Sequence, residues 1–262
     1  MKIGFIGLGN MAGAMIGGLI KDGTAPSDIV GFDVSEEVCA KRKKEFGITI
    51  APDNDSVVKV CGQIVLAVKP QFLESALGEV SGFSSDQVII SIVAGKTLDY
   101  LSRVIKGTKK IIRCMPNTAA LVGAATTGVS PLPKVSKKEL AGALKIIESF
   151  GKAIVVPETL MDTVTGVSGS SPAFVFMFIE AMADAAVLEG MPRAMAYEFA
   201  AGAVFGSAKL MMETGKHPGE LKDMVTSPAG TTIMGVKALE DGAFRSAVMD
   251  AVIAATERSR EL

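Results

Sequence analysis

The chain has 262 residues, enough for one large domain or two of medium size with a substantial core. With 27 basic and 28 acidic residues, 5% aromatics and no Trp, it offers neither a basic footprint nor a base-stacking platform, so nucleic-acid binding is excluded as a reading. Cys39, Cys61 and Cys114 are odd in number and lack a CxxC pairing, so they read as free thiols of a reducing cytoplasm, and no His/Cys/Asp cluster has metal-ligand spacing.

The first stretch, between Lys2 and Lys21, carries no charge and superficially resembles the apolar core of a signal peptide. Six glycines interrupt it (Gly4, Gly7, Gly9, Gly13, Gly17, Gly18), and no convincing small-residue cleavage site follows. "KIGFIG" (2–7) instead predicts a strand, and "FIGLGNMAGA" a turn that opens a helix: Gly7-x-Gly9-x-x-Ala12. In that context the spacing fits a dinucleotide-binding turn. Gly7 allows the tight turn, Gly9 lets the backbone approach a pyrophosphate, and Ala12 allows close helix–strand packing. Leu8, Asn10 and Met11 complete the loop.

"DIVGFD" (28–33) predicts the next strand, ending in Asp33. An acid there hydrogen-bonds an adenosine ribose diol and repels a 2′-phosphate, which points to NADH over NADPH. Its structural alternative is capping the helix predicted over 36–46, beside Ser35 and Glu36. The run Lys41–Lys44 reads as a solvated helix face, with a phosphate contact as the alternative.

Further strands are predicted at 63–68, 87–93, 110–115 and 152–157, with a helix over 136–149. Most are continuous apolar runs, the pattern of strands buried on both faces, so a parallel doubly wound sheet is expected over 1–162. The turns "AVKPQ" (67–71), "SIVAG" (91–95) and "MPNT" (115–118) then fall at the carboxyl ends of strands, where such sheets bind ligands. This gives Ala67, Val68, Lys69, Pro70, Ala94, Gly95 and Asn117 as cofactor-lining candidates, to which Asn54 is added.

From about Thr163 strand signals cease, and helices are predicted near 172–189, 193–213, 218–225, 231–241 and 243–261. The mean hydropathy is +0.39. Residues 163–179 lack charge, but Gly, Ser, Thr and Pro break them up, so a membrane span is not expected. "SSPAFVFMFIEAMADAAVLEG" is apolar nearly all round and must be buried. A segment this short offers too little interior, so a second copy of the chain is expected to cover it, making 163–262 an all-helical dimerisation and substrate-binding domain.

In the helical region, Ser168, Ser170 and Ser171 can contact substrate or cap the long helix, with the cap favoured for Ser170 or Ser171. His217, the single histidine, precedes Pro218 and reads as structural. Glu180 and Asp184 share a helix face and read as polar contacts across a dimer. "TSPAGTT" (226–232) precedes a helix. Gly230, Thr231 and Thr232 would aim unpaired N–H groups at an anion, with Thr231 or Thr232 as plain N-caps the alternative.

Taken together, the glycine loop, "AVKP", "VAG", "MPNT", "VSGSSPAFVF", "EAMADAAVLEGMPR", "HPGELKDMV" and "SPAGTT" resemble, in this order and over essentially the whole chain, the pyrroline-5-carboxylate reductases. The resemblance implies NAD(P)H-dependent reduction of 1-pyrroline-5-carboxylate to L-proline. It also implies a homodimer through the helical domain, extending to a decamer built as a ring of five dimers, and a substrate-contacting role for Thr232. The family loop reads "SPGGTT" or "SPGGAT"; here Ala229 replaces its first glycine. The β-hydroxyacid dehydrogenases and imine reductases share the domain order, but residues 153–208 contain no lysine to serve the hydroxyacid enzymes' proton transfer. A non-catalytic dinucleotide sensor is the remaining alternative, and it would have no need of the 226–232 loop.

Overall fold

The computed structural model describes residues 2–261. In chain order, β1 (Ile3–Ile6), α1 (Asn10–Lys21), β2 (Ile29–Phe32), α2 (Glu36–Phe46), β3 (Thr49–Ile50) and α3 (Asn54–Val60) are followed by β4 (Gln63–Leu66), α4 (Leu73–Gly78), β5 (Val88–Ser91), α5 (Leu98–Val104) and β6 (Ile111–Met115). Next come β7 (Ala125–Pro131), α6 (Lys137–Glu148), β8 (Gly151–Val155), α7 (Met161–Val164) and a π-helical turn over Thr165–Gly169. The helices α8 (Ser171–Leu188), α9 (Arg193–Thr214), α10 (Pro218–Met224), α11 (Thr231–Asp241) and α12 (Phe244–Arg260) complete the chain.

The strands form one eight-stranded sheet in the order β3-β2-β1-β4-β5-β6-β7-β8. The apolar runs of β1, β2, β4, β5 and β6 are buried on both faces, as expected, whereas the run that became the edge strand β8 leaves Ile154 and Val155 exposed. Phe5, Val65, Ile90 and Ile112 pack with Met15, Ile16 and Ile147 on one side. Ile6, Ile64, Leu66, Ile89 and Ile111 pack with Val57, Leu73 and Leu101 on the other. Short side chains cap the covering helices: Ser35 accepts from Val38 N–H, Thr97 from Tyr100 N–H, and Ser136 forms a capping box with Glu139.

Two features depart from the sequence reading of this sheet. It is not wholly parallel, because β7 runs antiparallel to β6 while pairing parallel with β8. The sequence of β7, "ATTGVSP", is small and polar, lacks an apolar run, and reads as loop. A two-residue strand, β3, also escapes any periodicity argument.

Contacts divide the chain into two compact units. Residues up to Ser170, joined by those from Ala255 onward, form the first; Ser171–Ala254 forms the second. The break thus falls eight residues beyond the expected 162/163 boundary (162 to 170), and the end of α12 belongs with the sheet. It is held there by Ser259, whose hydroxyl donates to Asp162 at 2.8 Å, while Arg113 pairs with Glu158 at 3.1 Å.

The second unit has a small interior of Ala183, Ala196 and Ala200, flanked by Ile179, Met182 and Val187. Large apolar side chains instead face outward, including Phe176, Met177, Phe199 and Phe205. Ser170, which precedes α8, lacks the extended conformation of an N-cap. Ser170 has helical angles, and its N–H donates to Thr165 across the π-turn. The Gly/Ser stretch is absorbed as an extra residue in the helical ladder rather than as a break. One consequence is that Glu158–Leu188 is long and apolar enough, by length and composition, to cross a membrane.

Candidate active site

The glycine turn sits where β1 meets α1. Gly7 has φ +90°, and a Cβ there would lie 2.8 Å from the Ala67 carbonyl oxygen, so both conformation and the closeness of the β4 end demand glycine. Gly9 differs. As the N-cap of α1 it has φ −62° and ψ −165°, which any residue can adopt. A Cβ would meet nothing within 4 Å. No protein contact requires a glycine at this position, and the open space in front of it fits the approach of a dinucleotide's pyrophosphate to bare backbone.

Asp33 holds this turn. Its Oδ2 accepts the Leu8 N–H at 2.8 Å and its Oδ1 the Ser35 N–H at 3.0 Å. The capping alternative is therefore only partly met: Ser35, not Asp33, caps α2. Each carboxylate oxygen retains a lone pair for a ribose hydroxyl. Arg42 corrects the sequence reading. It is not on a solvated face but is buried, with Nε donating to the Leu8 carbonyl at 2.9 Å and Nη2 to the Gly9 carbonyl at 3.0 Å. Nothing in the run Lys41–Lys44 distinguishes this arginine from its neighbours. The signal was Gly13, whose Cβ would fall 2.4 Å from the Arg42 guanidinium carbon.

The other turns lie at strand ends of the same unit. Ala67 and Val68 follow β4, and exposed Lys69 precedes Pro70, which starts a 3₁₀ turn. Ala94 and Gly95 follow β5, with Gly95 at φ +70°. Asn10, Met11 and Ala12 form the first turn of α1. Asn54 does not present a free side chain: its amide donates to Glu79 at 2.8 Å, bracing α3 on the segment after α4.

Asn117 and Ser168 are brought together. The Asn117 amide donates to the Ser168 carbonyl at 3.1 Å and hydroxyl at 3.3 Å, and the Ser168 hydroxyl donates to the Thr126 carbonyl at 2.9 Å. This ties the "MPNT" turn to β7 and to the π-turn. Ser168 keeps a lone pair, but its proton is committed within the protein.

In the second unit, Gly230 is the N-cap of α11, and Thr231 and Thr232 are its first two residues, both exposed. Neither threonine is an N-cap. Gly230 does not contribute a free donor, because its N–H bonds the Ser227 carbonyl at 3.1 Å. The first-turn N–H groups of Thr231 and Thr232 have no side-chain cap. Ala229 has φ +55°, the left-handed region where glycine is preferred. His217 is structural: it caps α10 by accepting the Gly219 N–H at 3.1 Å. Asp184 pairs with Arg193 of α9 in the same chain. No metal-holding cluster is present among the described residues.

The family model described as pyrroline-5-carboxylate reductase dimerisation matches residues 158–262, and that described as NADP oxidoreductase coenzyme F420-dependent matches residues 2–95. The pyrroline-5-carboxylate reductase of Escherichia coli is 51% identical over 263 residues, spanning 100% of this chain and 98% of that one. The chain belongs to the pyrroline-5-carboxylate reductase family. Among solved structures, the family's Coxiella burnetii enzyme superposes with TM-score 0.92 at 31% identity, over 99% of this chain and 97% of that one. The Plasmodium falciparum enzyme, solved with NADP bound, gives 0.89 at 30%, over 100% and 97%.

Proposed function

We infer that the chain reduces 1-pyrroline-5-carboxylate to L-proline, the last step of proline synthesis, with NADPH or NADH as reductant. The single observation that carries this reading is the 51% identity to a pyrroline-5-carboxylate reductase over the entire chain. The bare, open backbone at Gly9 supports a dinucleotide site.

When bound, the cofactor supplies a hydride to the imine carbon. The chain's own work is to bind and orient. Gly7–Ala12 take the pyrophosphate and Asp33 the ribose. The turns at Ala67–Pro70, Ala94–Gly95 and Asn117 line the rest of the cofactor, with Asn54 bracing the fold behind them. The Thr231 and Thr232 N–H groups hold the substrate carboxylate, with Gly230 leaving room for it, and the Thr232 hydroxyl faces the ring nitrogen. Ser168 offers its remaining lone pair to the substrate. The imine nitrogen is basic enough to be protonated by water, so no strong general acid is required, in keeping with a single histidine committed to a helix cap.

Asp33 favours NADH, and Val34 beside it, 84% exposed, brings no cation for a 2′-phosphate. The chain dimerises through the outward apolar faces of its helical region, and a ring of five dimers is the expected assembly. In that dimer Glu158–Leu188 is covered by protein, not lipid. A cytoplasmic location fits cysteines that are free and buried, with burial pushing the Cys61 thiol up to about 11.

The test is initial-rate oxidation of NADH and NADPH with and without 1-pyrroline-5-carboxylate. Substrate-dependent oxidation with proline as product is the expected result. Binding of both cofactors without turnover would leave only the sensor reading.

A further inference from the structure

The buried guanidinium of Arg42 has no part in the reading above. A fully charged side chain is rarely buried this deeply unless it is paired and hydrogen-bonded. Arg42 meets that condition by reaching outside its own helix. Its Nη1 pairs with Glu45 at 2.7 Å, and its other two nitrogens, Nε and Nη2, grip the carbonyls of Leu8 and Gly9. Its guanidinium also stands 5.9 Å from the Phe46 ring centroid, which closes the apolar side of its nest.

The direction of those two bonds matters. A trans peptide carries its C=O and N–H on opposite sides. Arg42 fixes the Leu8 carbonyl, and it shares the Gly9 carbonyl with the Gly13 N–H of α1, at 2.9 Å, so the N–H groups of Gly9 and Asn10 are aimed away from α2. Among the described residues neither N–H has an acceptor. Leu8 itself is held at both ends, its N–H by Asp33 and its C=O by Arg42. Gly13 is part of the same arrangement, since any side chain there would meet the guanidinium within 2.4–2.7 Å.

We propose that Arg42 is a positioning residue for the cofactor: it presets the glycine turn so that the Gly9 and Asn10 N–H groups are already aimed at the pyrophosphate. This rests on the reading of Gly7–Ala12 as the dinucleotide site. Preorganisation of this kind lowers the cost of ordering the turn on binding.

The experiment is fluorescence titration of NADH and NADPH into Arg42→Ala, Arg42→Lys and Gly9→Val, with steady-state kinetics and melting temperatures. Gly9→Val is the control for the underlying reading, because its side chain enters space the protein leaves empty. It should abolish cofactor binding while the chain still folds, with a modest fall in Tm because valine is a poor N-cap for α1; unchanged Kd would overturn the site assignment itself. With that control passed, Arg42→Ala should raise cofactor Kd at least about tenfold, about 1.4 kcal/mol. Its kcat at saturating cofactor and its KM for 1-pyrroline-5-carboxylate should stay within about threefold. Arg42→Lys, lacking the planar fork, should recover only part of the loss. A lowered Tm with unchanged cofactor Kd would overturn the proposal and leave Arg42 a brace of the fold. Should Arg42→Ala fail to fold, Gly13→Ala dislodges the same guanidinium with the arginine retained, and the same rise in cofactor Kd is expected; no rise overturns the proposal.

Discussion

The Leu8 N–H donates to Asp33 Oδ2 at 2.8 Å, so the acid that follows β2 holds the turn that follows β1. In the proposed site one carboxylate would do two jobs: it holds the glycine turn and would present an oxygen to the ribose. Asp33→Ser should lose both the hold on Leu8 and the repulsion of a 2′-phosphate. The expected result is a rise of about tenfold in the NADPH-to-NADH ratio of kcat/KM, one charge-assisted hydrogen bond's worth of discrimination. Cofactor affinity should weaken overall because the turn is looser. A ratio that does not move would show that cofactor choice lies elsewhere.

Thr232 carries the chemistry-facing prediction. It occupies the first turn of α11 and is exposed in the chain, so no packing depends on its hydroxyl. Thr232→Ala should lower kcat with 1-pyrroline-5-carboxylate by about 10- to 100-fold, the cost of one hydrogen bond to a charged group. Cofactor Kd and Tm should hold. Equal losses in turnover and cofactor affinity would assign the residue to the fold.

Ala229 and Ala243 form a matched pair, at φ +55° and +54°. An L-residue in the left-handed region is strained by about 1–2 kcal/mol, and glycine relieves this while adding about 0.4–1 kcal/mol of unfolded-chain entropy. Ala243→Gly, outside the proposed site, should raise Tm by about 2 °C with activity unchanged. Ala229→Gly should raise Tm similarly but loosen the substrate turn, increasing KM for 1-pyrroline-5-carboxylate about threefold. Identical kinetics in the two variants would show that strain at Ala229 has no bearing on binding.

The sheet was legible where burial is two-sided. Runs such as "QIVLAV" and "QVIISIV" have no polar alternation to blur them, and they became β4 and β5. It was illegible at β7, where Thr, Gly and Ser fill the strand and tertiary pairing with β6 and β8 decides. The glycine turn could be read because Gly7 is demanded by its backbone conformation and the spacing places a second glycine, Gly9, where bare backbone faces open space. Arg42 was missed because its partners are the carbonyls of Leu8 and Gly9, which leave no trace in residue type, and its one mark in the sequence is the glycine at position 13. Ser170 misled for a related reason: hydroxyl residues mark helix starts on average, but here its helical angles carry the chain from the π-turn into α8.

Glu139 gives the pH prediction. The Lys110 ammonium at 2.7 Å and the Ser136 hydroxyl and N–H hold its carboxyl at about 2, below the ordinary 4.5. A carboxyl depressed on folding adds stability that is complete above about 4.5 and is lost as pH falls through about 2. Glu139→Gln should therefore melt lower than the parent at pH 6, with the gap closing as pH is brought down through this window. A gap that persists at pH 2 would mean that the loss comes from packing or the cap rather than the charge.

The last prediction concerns the outward face of the helical unit. Phe205 is 70% exposed in the single chain and Phe176 66%, whereas the unit's interior is built largely from alanine. An unpaired charge placed in a buried apolar contact costs about 3–5 kcal/mol, while one on a solvated face costs little. Phe205→Glu should therefore be harmless to an isolated chain but disruptive to a dimer that buries it. Sedimentation at graded concentration should show the parent as dimer or larger, and Phe205→Glu dissociating at concentrations at least about 100-fold higher. Val60→Glu, which alters an exposed apolar residue of α3 on the sheet unit, serves as the control and should leave assembly unchanged. If both variants remain assembled to the same dilution, Phe205 lies outside the interface, and the helices must be covered through another face.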